Sequence, residues 1–320
     1  MSRPNLLENL LRRDRTVVVL ALVLIIGVSW LYILAGAGMG MSALDMTSLP
    51  KALGPAEEVP MNSPLSEKRG GPPAPTSTMP ESTMPESTMP GGLGGVGDAM
   101  AAMATPVDWT FRYALLMFFM WWVMMIAMML PSAAPMVLLH ARVERSAKAR
   151  AGEVGGLAPT VAFTFGYLLV WGLFSAIAAA LQWAFERAGL LSPMTMNASS
   201  MLFAGVILLF AGAYQVTPIK QACLKHCRGP IQFLSRNWRP GAGGALRMGV
   251  HHGTYCLGCC WGLMAILFFG GVMNLYWIVG LALIVLLEKL VPLGPRFGTV
   301  IGGLLLIWGA SFLVRALALA

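Results

Sequence analysis

Residues 251–261, HHGTYCLGCCW, hold three of the chain's five cysteines and two of its four histidines. On a helix, side chains four positions apart share a face, so His252, Cys256 and Cys260 form a stripe with Cys259 beside it. Imidazole and thiolate are soft or borderline donors, suited to Cu(I) or Zn(II) and poorly suited to Mg or Ca. Gly253 and Gly258 leave room for a neighbouring helix to approach. One buried cysteine is an ordinary small hydrophobe; a cluster this dense points to a metal or redox site.

A second constellation precedes it. Thr217-Pro218 has the form of a helix start and Gly229-Pro230 of its stop, and between them Cys223, His226 and Cys227 share a face at i, i+3 and i+4. Lys220, Lys225 and Arg228 nearby favour the thiolate forms. The five cysteines all lie between 223 and 260 and are odd in number, unlike a disulfide framework spread through exposed loops. A third source of soft donors is the run Met124, Met125, Met128 and Met129. Its members continue stripes at helical spacing from Met117 and Met120. Methionine stripes are ordinarily adaptable packing, but beside a Cys/His cluster their thioethers are candidate Cu(I) ligands.

The elements that must position these groups follow from composition. The chain is 57% hydrophobic and 11% charged, with a mean hydropathy of +0.70, against roughly 25% charged in a soluble domain. The reading is all-α: a polytopic transmembrane helix bundle embedded in a lipid bilayer. The net charge of +8 is not a nucleic-acid signal, because the basic residues mark which span ends face the cytoplasm. About seven spans result, over 17–35, 109–139, 159–185, 199–216, 246–270, 275–291 and 297–319, with the N-terminus cytoplasmic.

Residues 1–38 read as a basic tail and an uncleaved anchor. Residues 39–106 are rich in Met, Pro and Gly, repeat the unit Ser-Thr-Met-Pro, and read as a disordered extracytoplasmic loop. Their methionines are candidate weak Cu(I) collectors. Residues 107–320 read as a six-span domain expected to bind metal. Within it, 140–153 is expected to be a basic cytoplasmic loop. Pro131 and Pro135 loosen the helix before that loop, so this stretch should face inward.

By depth, the Met124–Met129 run and His252 to Cys260 occupy overlapping layers, with Cys223 and Cys227 at the inner edge. Ionisable groups at such depth cost about 2.5–3.5 kcal/mol on insertion scales, and a thiolate pair holding a monovalent cation lowers that cost. Glu288-Lys289 is expected at the inner interface, with Lys289 snorkelling to water.

Five strings carry a family resemblance: 124–136 (MMIAMMLPSAAPM), 214–230 (YQVTPIKQACLKHCRGP), 247–261 (RMGVHHGTYCLGCCW), 271–274 (GVMN) and 287–289 (LEK). Together they resemble the DUF2182 family of bacterial integral membrane proteins over roughly 110–318. The resemblance implies metal binding, with copper supply to copper enzymes in some members. It carries over to His252, Cys256, Cys259, Cys260, Cys223, Cys227 and the Met124–Met129 run.

Two functional classes compete. One is a Cu(I) chaperone or transporter of the bacterial inner membrane, with zinc as the second metal. Its partners would be a copper-dependent enzyme or another copper carrier, and no nucleic acid. The other is a thiol–disulfide oxidoreductase using Cys256 and Cys259 as a C-x-x-C pair. A structural subunit of a larger membrane enzyme is a third reading. The chain has no phosphate-binding loop and no Ser/His/Asp arrangement, so it reads as a carrier rather than an enzyme.

Overall fold

A computed structural model describes residues 6–39, 47, 108–152, 156–192 and 196–319. All but residues 39 and 47 of the Met/Pro-rich 39–106 segment therefore lie outside the described residues. The described chain is helical, with one isolated β-bridge between Leu191 and Ala198. Helices α1 (Leu6–Leu34), α2 (Phe111–Arg150) and α3 (Ala158–Arg187) come first. Then follow α4 (Met201–Gln215), α5 (Pro218–Arg228), α6 (Pro230–Asn237) and α7 (Gly241–Met264). The series ends with α8 (Leu267–Gly270), α9 (Leu275–Leu290) and α10 (Gly294–Ala318).

The helix starts are written locally. Thr110, Ser200, Thr217 and Asn274 each accept a first-turn backbone N–H through the side chain, capping α2, α4, α5 and α9. Proline stands in the first turn of α3, α5, α6 and α10, where its missing N–H costs nothing. The expected start and stop of α5 are observed. The short helix α6 beyond it was not foreseen.

Five helical stretches are long and apolar enough to cross a membrane: Arg15–Leu34, α2, α3, Gly241–Gly270 and α10. The α4–α5 pair, bent by 61°, makes a sixth if counted as one span. Large apolar side chains such as Leu24, Leu173 and Ile307 point outward, as the exterior of a multi-pass membrane bundle requires. The expected all-α multi-span bundle is observed, with five or six stretches among the described residues long and apolar enough to cross a membrane against about seven expected. The 16-residue α9 is about 24 Å long, short of a ~30 Å hydrocarbon core.

The 140–153 loop is corrected. The 40-residue α2 is about 60 Å long, twice that core, and it runs on through His140 to Arg150 as helix. Pro131 and Pro135 lie inside it without ending it. Near these prolines the Met129 carbonyl accepts from Ser132 Oγ at 2.8 Å and from Tyr167 OH at 3.3 Å.

Close approach of backbones holds the bundle together. Helices α3 and α7 share the most extensive interface. A Cβ on Gly249 would sit 2.0 Å from the Phe163 carbonyl oxygen, and one on Gly166 would sit 2.4 Å from that of Leu246. Helices α4 and α10 interlock through Gly205, Gly212, Gly302 and Gly309 in the same way, the close packing that small residues allow between membrane helices.

Gly249→Ala should therefore destabilise the detergent-solubilised protein by about 1–3 kcal/mol, since the clashing atom is backbone. Gly303→Ala, which meets nothing within 4 Å, should leave stability unchanged or raise it by up to about 1 kcal/mol. Thermal unfolding of the two variants beside the parent checks both.

Candidate metal centre

The α3–α7 crossing fixes the face of α7 that carries sulfur. Cys256, Cys259 and Cys260 are all buried, and none of the five cysteines is in a disulfide. Within α7 the thiols of Cys259 and Cys260 both turn back onto the Cys256 carbonyl, at 3.1 and 2.8 Å. The three sulfurs are thus gathered over one helical turn.

Two further helices bring sulfur to this turn. Cys227 of α5 places its Sγ 3.8 Å from Cys259 Sγ. Met129 of α2 places its Sδ 3.8 Å from Cys260 Sγ. Helix α5 can come this close because residue 258 has no side chain: a Cβ there would meet Cys223 Sγ at 2.8 Å. Cys223 and Cys227 are half-buried. The sulfurs therefore form a series from the partly exposed α5 cysteines inward to Cys259, Cys260 and Met129.

The third α7 sulfur has different neighbours. Cys256 Sγ lies 3.0 Å from Tyr167 OH and accepts from Lys289 Nζ at 3.0 Å. Lys289 also donates to Ser132 Oγ at 3.0 Å. It is 8% exposed, so the expectation of a snorkelling lysine is corrected. The neighbouring Glu288 is buried as well. It accepts from Lys220 Nζ at 2.7 Å and from Gln215 Nε2. Consecutive residues at the end of α9 thus grip opposite walls of the site. Glu288 holds the α4–α5 bend, and Lys289 holds α7 and α2. The two side chains part because adjacent positions on a helix point about 100° away from each other.

The remaining expected ligands fall elsewhere. His226 is exposed, bonded to the Ala222 carbonyl at 2.9 Å and stacked on Tyr255 at 4.3 Å. His252 is buried among the rings of Phe163, Tyr167 and Phe233, and its Nδ1 has no partner among the described residues. Met124, Met125 and Met128 are buried, and Met129 is the one whose thioether accepts from a cysteine thiol among the described residues. Among the described residues no three His, Cys, Asp or Glu side chains converge as a metal-binding group. The sulfurs meet in pairs instead.

The sequence reading missed Tyr167, Ser132 and the inward turn of Lys289. It also missed His140, which is fully buried against Phe163 with both ring nitrogens unpartnered among the described residues. A lysine at the end of an apolar run has the same sequence signal whether it snorkels or turns inward. Ser132, one residue after Pro131, was the available hint.

No curated protein and no solved structure matches the chain. The family model described as PpoB2, copper chaperone, matches residues 118–312. That match covers more than half the chain, including the α5 and α7 cysteines, Met129 and Lys289, so the chain belongs to the PpoB2 copper chaperone family.

Proposed function

We propose that this protein carries Cu(I) within the bacterial inner membrane and passes it to a copper-dependent enzyme or to another copper carrier. The observation that carries the reading is the sulfur pairing of Cys227 with Cys259 and of Cys260 with Met129. Thiolate and thioether together select Cu(I). Structural zinc is held by four nitrogen or sulfur donors, and a thioether is no part of that set, so copper is the better fit. Of the residues weighed from sequence, Cys227, Cys259, Cys260 and Met129 are assigned as ligands. Cys256 stands beside them, and Cys223 is the exchange point nearest the surface. His226, His252 and the outlying Met124, Met125 and Met128 are not assigned as ligands.

The N-terminus is cytoplasmic in this reading, and the methionines of 39–106 gather copper on the far side. We take the DUF2182 resemblance and the PpoB2 match to describe one group, since the motifs fall largely in the matched segment.

Thiol–disulfide exchange is the weaker reading. It requires an accessible thiolate, and Cys256 and Cys259 are 0% and 1% exposed.

The test is copper content after anaerobic loading and desalting. The parent should retain near-stoichiometric Cu(I), and a Cys256/Cys259/Cys260→Ser variant should retain almost none. Cys227→Ser and Met129→Leu should each weaken retention by about 10- to 100-fold, as loss of a supporting group at a metal site does. Equal retention by parent and triple variant would overturn the proposal.

A further inference from the structure

The end of α2 and α3 away from the cysteines carries a buried carboxylate that the sulfur site does not use. Glu186, in the last turn of α3, is 6% exposed. It accepts from Trp109 Nε1 at 2.8 Å and from Gln182 Nε2 at 2.9 Å, both neutral donors. Among the described residues it has no ion pair, and the adjacent Arg187 turns onto Trp183 instead. An ionisable group buried in a membrane span is costly and marks a functional site.

The Gln182 amide links this carboxylate to sulfur. The same Nε2 donates to Met117 Sδ at 3.5 Å, while Gln182 Oε1 accepts from Trp121 Nε1 at 2.8 Å. One amide nitrogen is thus held between a carboxylate oxygen and a thioether, two acceptors that a cation can share. By helical rise Met117 lies about 18 Å along α2 from Met129. The 39–106 segment reaches the same end of the bundle. Thr47 Oγ1 accepts from the Leu275 backbone N–H at 3.2 Å, at the start of α9. Phe268, just before α9, packs on Trp121 and Phe185 at 5.1 and 5.5 Å.

We propose that Met117, Gln182 and Glu186 form a second, weaker Cu(I) site, which receives copper from the methionine-rich segment. The inference deepens the copper reading above and rests on it. The thioether supplies a soft donor, and the carboxylate supplies the negative charge that a thioether lacks. Bound Cu(I) takes the place of the Gln182 amide nitrogen between them and compensates the buried charge of Glu186. A single soft donor holds copper loosely, so this site empties on desalting while the sulfur site stays filled.

The test uses the full-length protein in detergent, loaded with Cu(I) and desalted, then titrated with further Cu(I) in an anaerobic chelator buffer. Tryptophan emission is the readout, because Trp109 and Trp121 donate to Glu186 and Gln182, and the 39–106 segment contains no tryptophan. The parent should show a saturable change. Glu186→Gln and Met117→Leu should each raise its midpoint by about tenfold or more, as loss of a group at a metal site does. The copper each variant retains through desalting should equal the parent's, which also reports an intact fold.

Midpoints within about threefold of the parent's, less than a decade in binding constant, would overturn the inference and leave a packing network. So would a parent with no saturable emission change, a result that needs no variant to fold. Both outcomes leave the copper reading standing if the desalted parent holds Cu(I). A desalted parent without Cu(I) would overturn that reading and this inference with it.

Discussion

The contact on which the site depends is the hydrogen bond from the Lys289 ammonium to Cys256 Sγ at 3.0 Å. A lysine in an apolar bundle is expensive, and hydrogen bonds to the Cys256 sulfur and the Ser132 hydroxyl offset part of that cost. The pairing is held by structure on every side. Ser132 takes a second ammonium hydrogen, Tyr167 closes over the sulfur, and the Lys220–Glu288 pair fixes the end of α9 from which Lys289 projects. Removing one partner of that buried pair is expected to cost about 3–5 kcal/mol.

Backbone proximity makes these side-chain distances attainable. Gly249 and Gly166 let α3 and α7 touch backbone to backbone, which sets Tyr167 against Cys256. Gly258 admits α5, and with α5 comes Cys227. The 61° bend between α4 and α5 turns α5 across the mouth of the bundle, where its cysteines stand between exposed surface and buried sulfur. A straight helix through Thr217-Pro218 would carry Cys223 and Cys227 away from α7. Packing by small residues and placement of ligands are therefore one design.

Much of this was legible in the sequence, because it is written in local pattern. Composition dictates the helical membrane bundle. Thr217-Pro218 and Gly229-Pro230 bound α5, and the i+4 spacing of Cys256 and Cys260 gives their shared face. What pattern leaves open is direction and partnership. The same spacing put His252 in the cysteine stripe, yet the four-residue step along α7 carries it into the aromatic box around Phe163. His226 shares a helix with Cys227 and turns outward onto Tyr255. Lys289 turns inward because Cys256 and Ser132, 33 and 157 residues away in sequence, offer acceptors there. Non-local charge pairing of that kind leaves no periodic trace, and the basic residues of 140–150 gave no sign that α2 runs on through them as helix.

The central claim is that copper sits on the sulfur of α5, α7 and Met129 rather than on imidazole. X-ray absorption at the copper edge of the Cu(I)-loaded protein tests it most directly. The account predicts a Cu(I) edge with sulfur neighbours only, drawn from Cys227, Cys259, Cys260 and Met129, and no imidazole multiple scattering. A spectrum dominated by nitrogen or oxygen neighbours would contradict it, placing the metal at the histidines or on the surface.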